Sequence, residues 1–217
     1  MIELLGNIYA LVPFGDIIFL FSDFSIIGFI IAIVFTIIVY LTKPEKQLEI
    51  QKFGEDVLVK IPLEELKIRR FMAIACGIAT AGAMLTYDLF DFCLFLALIG
   101  ITNIGIVSAV KKEHVLNAAY QYGLIAIISS LPLFASAGLV LAKTGTLSLL
   151  ELNKINTNLI YEKILFSIGV AGETGVAPFY AAKAEMFRAP GAPYILMIHL
   201  SSLLLILRSV EILLSIR

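Results

Sequence analysis

The sequence predicts an all-α integral membrane protein of about six transmembrane helices, one of them broken near residues 173–178. Three observations carry this. Of the 217 residues, 60% are hydrophobic and only 15% charged, with the charges bunched between long apolar runs. Five runs contain no Asp, Glu, Lys or Arg: Phe24–Leu41, Phe71–Tyr87, Phe92–Val110, Val115–Ala142 and Ala189–Leu207. A sixth, Ile164–Ala182, is interrupted by Glu173 alone. Each run is near the roughly 20 residues that a helix needs to cross a bilayer core, where every backbone donor and acceptor must be satisfied internally.

The opening stretch, "MIELLGNIYALVPFGDIIFLF", lacks the basic start and small-residue cleavage site of a signal peptide. Glu3, Pro13 and Asp16 interrupt it, so it reads as a short interfacial or re-entrant lead-in, and residues 1–42 form a first unit with the first span. Residues 43–70 are the segment able to form a structured element outside the membrane. Its seven basic and six acidic residues nearly balance, too mixed in sign for a polybasic lipid clamp. Val57, Val59 and Ile61 alternate like a short strand, and Pro62 before "LEELKIRR" reads as a helix start running into the second span. The segment is either a cytosolic linker resting on a partner protein or a disordered loop. Gly77 and Gly82 among the alanines of the second span suit close helix packing.

Lys and Arg set the expected orientation. The 43–70 connection carries seven of them and the connection around Tyr87–Asp91 none, while Lys111–Lys112 and Lys183–Arg188 fall on the side of the first group. A multi-pass protein of the cell membrane follows, with its N-terminus outside and the 43–70 loop cytoplasmic. Cys76 and Cys93 lie inside predicted spans without a CxxC spacing, so neither an iron–sulfur cluster nor a structural zinc site is expected. They read as apolar packing residues. A net charge of −1 offers no basic surface for nucleic acid.

The chemistry concentrates in the sixth run. Gly169, Gly172, Gly175 and Pro178 recur every three residues, and proline removes a backbone donor and clashes with the preceding turn. Glu173 is the tenth of nineteen residues in its run, which puts it at mid-membrane, where a charged side chain costs about 2.5–3.5 kcal/mol on insertion scales. Two readings stand: a neutral or hydrogen-bonded group that fixes helix packing, or a group facing a hydrated pocket that exchanges protons or pairs with a cation. His199, in the last span before Ser201 and Ser202, is either a packing residue or a second proton carrier. Arg208 and Glu211, three apart, can pair on one helix face and so enter the far interface cheaply.

The stretch "GVAGETGVAPFYAAKAEMFRAPGAPYILMIHLSSLLLILR" is similar to the broken-helix signature of the antiporter-like subunits of respiratory complex I, multisubunit cation/proton antiporters and energy-converting membrane hydrogenases. In that family a Lys precedes a Pro by five residues, an Ala-Pro-rich linker follows, and the next helix carries a His or Lys before a terminal Arg. Residues 113–152 resemble the preceding helix, with Asn117 at the position of a Glu and Thr-Gly-Thr-Leu at its exit. The resemblance covers residues 70–211 and implies one five-helix repeat, residues 71–217, behind one leading helix. Full-length members carry about fourteen helices with two such inverted repeats. The departures lie at the charges: Glu173 stands at the Lys, Tyr180 at the following His and Gln121-Tyr122 at a Lys-Tyr, while the Glu that partners the Lys falls near Leu96–Ala97. His199 and Arg208 are kept.

The resemblance implies a membrane subunit of an ion-translocating, hydrogenase-like complex, most reminiscent of the Eha-type nickel–iron hydrogenases of methanogenic archaea. Its partners would be other membrane subunits and peripheral redox subunits, its ion H⁺ or Na⁺, and it would carry no catalytic centre or cofactor itself. Glu173 is the candidate proton-binding group, Lys183 and His199 are relay candidates, and Gly172, Gly175 and Pro178 make the break that hydrates the pocket. The alternatives are a degenerate repeat that bridges the membrane arm and carries nothing, and an independent transporter working as a dimer.

Overall fold

The computed structural model describes residues 8–14, 17–42, 46–50, 56–187 and 193–216. Among the described residues, five helices are long and apolar enough to cross a membrane: α1 (Asp23–Leu41), α2 (Leu63–Leu85), α3 (Leu89–Ser108), α4 (Glu113–Thr144) and α8 (Tyr194–Ser215). The sixth apolar run is divided, as the spacing of Gly175 and Pro178 predicts, between α6 (Ile160–Thr174) and α7 (Tyr180–Phe187). With 15 residues, α6 alone falls short of the roughly 20 that a straight crossing takes. A four-residue helix, α5 (Leu149–Leu152), lies in the connection after α4.

Several helix ends are set by residues that the sequence supplies there. The Ser22 hydroxyl accepts from the Ser25 N–H while the Ser25 hydroxyl accepts from the Ser22 N–H, a capping box that fixes the start of α1. At α2, Pro62 occupies the cap, where no backbone donor is missed, and Glu64 and Glu65 face the positive end of the helix dipole. The Asp88 carboxylate accepts from the Phe90 N–H, 2.7 Å, at the head of α3. The 32 residues of α4 run past Pro132 and stop at Gly145, whose φ of 74° is the left-handed conformation that glycine adopts without strain.

Small residues set the helix spacing. Ser25, Gly28, Ala32, Thr36 and Val39 form the inward stripe of α1, against which α2 packs so closely that a Cβ at Gly77 would collide with the Thr36 hydroxyl, and one at Gly28 with Met84. The antiparallel α4 and α6 meet likewise, Gly169 against the backbone of Leu133 and Gly172 against Ser129. Phe92 and Phe166, with ring centres 6.0 Å apart, tie α3 to α6 in the interior. Both cysteines are buried packing residues, their thiols directed at the Asn103 side-chain oxygen and the Leu133 carbonyl.

Two small hairpins stand outside the helices. β1 (Ile8–Phe14) pairs antiparallel with β2 (Ile17–Ser22), and β3 (Lys46–Ile50) with β4 (Asp56–Lys60). The lead-in is thus a strand pair. Its exposed run of β-formers, Ile8 to Phe14, pairs with an equally apolar second strand, and the Tyr87 N–H donates to the Ile18 carbonyl at the α2–α3 turn. The alternation at Val57 and Val59 does mark a strand, β4, which ends before Ile61.

Arg208 and Glu211 pair as their spacing suggests, and the pair is covered by the bundle, 0% and 6% exposed. The second guanidinium nitrogen of Arg208 donates to the Thr86 carbonyl, 2.6 Å away. Thr86 caps the C-terminus of α2, where a carbonyl lacks an intrahelical donor, so α8 supplies one from within the fold.

Candidate ion-path site at the broken helix

α6 stops because the chain turns over at Gly175. Its φ of 70° places it in the left-handed region, its N–H donates to the Ala171 carbonyl, and Pro178 cannot continue the ladder. Gly175 serves a second purpose. A Cβ there would collide with the aliphatic stem of Lys183, so the missing side chain lets α7 fold that lysine back over the helix end. The sequence counted Lys183 with the cytoplasmic charges; it is instead 2% exposed, inside the fold. Arg188, grouped with it, lies outside the described residues.

The folded-back ammonium has two acceptors. Nζ donates to the Ser202 hydroxyl on α8, 2.5 Å, and to the main-chain oxygen of Glu173, 3.3 Å. The Tyr122 hydroxyl on α4 donates to that same oxygen at 2.8 Å, and Nζ stands 5.5 Å from the centre of the Tyr122 ring. The Glu173 carbonyl belongs to the last turn of α6, where acceptors are left without an intrahelical donor and where the dipole favours a cation. Lys183 and Tyr122 therefore cap the broken helix from two neighbouring elements.

The Glu173 carboxylate points the other way, toward α3. It is 4% exposed, and its Oε2 has no hydrogen-bond partner among the described residues. It occupies the space left by Gly100, where any Cβ would collide with it. Gly100 is the twelfth of the twenty residues of α3, so the carboxylate lies at mid-helix depth. Only one helical turn separates Gly100 from Ala97, the neighbourhood in which the resemblance puts a glutamate. A carboxyl group and an ammonium group are thus both buried around the break, but carried by α6 and α7.

His199 does not join this group. It is exposed on the outer side of α8, its ring stacked on Phe187 at 3.7 Å between centres. Tyr180 is exposed as well. Sequence reasoning missed Gly100, which reads as a packing residue, and Asn103, a lone buried amide in an uncharged run. It also missed a half-exposed salt bridge, the buried Glu162 at the head of α6 with the exposed Lys143 of α4, 2.6 Å apart. Glu162 and Glu173 are eleven residues apart, three helical turns, and so share one face of α6. Among the described residues no three His, Cys, Asp or Glu side chains are grouped to hold a metal ion.

Residues 1–216 match the family described as NADH dehydrogenase I, subunit N related protein. The chain belongs to that family. It is 75% identical, over the whole of both chains, to the protein MJ0522 of Methanocaldococcus jannaschii. A second protein of that organism, MJ1309, is 26% identical over 159 residues, which cover 69% of this chain and 33% of MJ1309. Among solved structures, the fold is similar to a chain of the membrane-bound sulfane sulfur reductase, an archaeal respiratory membrane complex. There the TM-score is 0.51 and the identity 17%, over 82% of this chain and 44% of the other. The family member described here thus spans less than half of that neighbour. The resemblance to complex I-type, antiporter-like membrane subunits holds, and the chain is a multi-pass membrane protein.

Proposed function

We infer that the chain is a membrane subunit of a respiratory, energy-converting complex of the hydrogenase-like kind, in which redox chemistry in peripheral partners drives H⁺ or Na⁺ across the bilayer. The observation that carries this is the pair of buried groups at the helix break: a carboxylate oxygen without a hydrogen-bond partner among the described residues at mid-helix depth, on a residue whose main-chain oxygen is held by a buried ammonium. A group kept only for packing gains nothing from an unsatisfied oxygen in an apolar interior. A group that takes up and releases an ion needs one.

In this reading Glu173 binds the ion and Lys183 balances its charge. The irregular backbone from Gly175 to Pro178 lets water reach them, since non-helical backbone at membrane depth is tolerated where it lines a cavity. Glu162, on the same face of α6 and paired to Lys143, continues the path toward the other end of the bundle. His199, exposed on α8, faces an adjoining subunit and relays a proton to or from it. Residues 71–217 act as one five-helix half-channel, α1 leads into it, and the 43–70 connection lies on the cytoplasmic side with the N-terminus outside. Hydrogenase large and small subunits and further membrane subunits are the expected partners.

The test of this membership is purification of a tagged copy from its native membrane in mild detergent. Hydrogenase subunits are expected to co-purify, identified by mass spectrometry and by hydrogenase activity. Recovery of the chain alone or as a homodimer contradicts the subunit reading and favours an independent transporter.

A further inference from the structure

A groove of about 590 Å³ opens between the end of α1 and the start of α2, lined by Tyr40, Leu41, Lys67, Arg70, Phe71 and Ile74. The four residues from α2 stand at i, i+3, i+4 and i+7, one stripe of the helix. Along that stripe the chemistry changes in order: two cations, Lys67 and Arg70, then two apolar side chains, Phe71 and Ile74. The change takes place within about 10 Å of helix axis, at 1.5 Å per residue. Among the described residues that line it, none is acidic.

Arg70 is held in place rather than free to swing. A terminal nitrogen donates to the Tyr40 carbonyl, the guanidinium carbon lies 5.7 Å from the centre of the Tyr40 ring, and Nε has no hydrogen-bond partner among the described residues. Lys67 is exposed, and Leu41 and Phe71 leave about two-thirds of their surface uncovered, 68% and 67%. A free anion would use the cations but not these apolar walls.

We propose that this groove binds an anionic phospholipid, its phosphate on Lys67 and Arg70 and the start of its chains along Leu41, Phe71 and Ile74. Basic pockets between membrane helices hold such headgroups by charge, while the adjoining apolar surface accepts the chain. The 43–70 segment as a whole is too mixed in sign to act as a lipid clamp. Two of its cations nonetheless fall on the groove-lining stripe of α2, with Glu65 on the opposite face and Glu64 one turn before Lys67. The volume matches that of sites that hold small organic groups.

Delipidated full-length protein, in neutral detergent, is titrated with phosphatidylglycerol or phosphatidylcholine and read by native mass spectrometry. Each cation near an anionic headgroup contributes about a fivefold preference. Phosphatidylglycerol is therefore expected to bind about 25-fold more tightly than phosphatidylcholine. Lys67→Gln, at an exposed position that leaves the fold intact, is expected to remove about fivefold of that; Lys67→Gln with Arg70→Gln removes the preference, and Lys111→Gln, on another exposed connection, leaves it unchanged. Equal binding of the two lipids, or a preference untouched by Lys67→Gln, overturns the proposal. Full displacement of phosphatidylglycerol by millimolar inorganic phosphate would mark a free-anion site and overturn it too, as would crosslinks from Lys67 to a co-purified subunit in place of lipid.

Discussion

Arg208→Met is expected to destabilise the protein by about 3–5 kcal/mol, the range for breaking a buried ion pair by removing one partner. Glu211 would remain in the interior, 6% exposed, with its counter-charge gone, and the Thr86 carbonyl would lose its donor from α8. Methionine fills much of the same volume, so the loss is electrostatic and not a cavity. Thermal unfolding of the purified protein in detergent reads the effect. Arg208→Met with Glu211→Met is expected to recover most of the lost stability, because replacing both members of a buried pair by apolar groups is often near neutral. A single variant as stable as the parent would contradict the assignment of Arg208 as the tie between α8 and the end of α2.

Lys183→Met should behave differently, because the group it removes serves an ion path as well as a helix end. Tyr122 still donates to the Glu173 carbonyl, so α6 keeps one cap and the complex is expected to assemble at close to parental yield. Coupled ion transport, by contrast, is expected to fall at least about tenfold, about 1.4 kcal/mol in the coupling step, since the carboxylate loses its charge partner. If Glu173 and Lys183 act as one unit, adding Glu173→Gln to Lys183→Met changes transport little further. Independent, multiplying losses in the double variant would separate the two residues and contradict the paired site.

Where the fold was legible in the sequence, composition and punctuation made it so. The uncharged runs became α1 to α4 and α8, Pro62 marks the start of α2, and Gly175 with Pro178 marks the break. Glu173 was legible as a lone carboxylate in an apolar run. Its surroundings were not, because they depend on which residues the tertiary fold brings together. Lys183 sits in "KAEMFR", a polar stretch that reads as a surface connection, and only the left-handed turn at Gly175 carries it inside. Gly100 looks like any packing glycine until α6 is laid against it. Arg208 and Glu211 fit the pattern of a pair reaching for the interface; their burial follows from the orphan carbonyl at the end of α2, a backbone group with no signature in sequence. Asn103 was the missed signal, the one amide in the uncharged run of α3, and it is buried among the groups around the break.

The central claim is that Glu173 binds the transported ion. The purified complex, reconstituted in proteoliposomes, gives the ratio of H⁺ or Na⁺ moved to electrons transferred, with Glu173→Gln compared against the parent. Glutamine keeps the shape of the side chain but carries no exchangeable charge. The account predicts that the variant complex assembles and transfers electrons while the ion ratio falls to background. An unchanged ratio in a fully assembled Glu173→Gln complex would contradict it and leave the carboxylate a packing group.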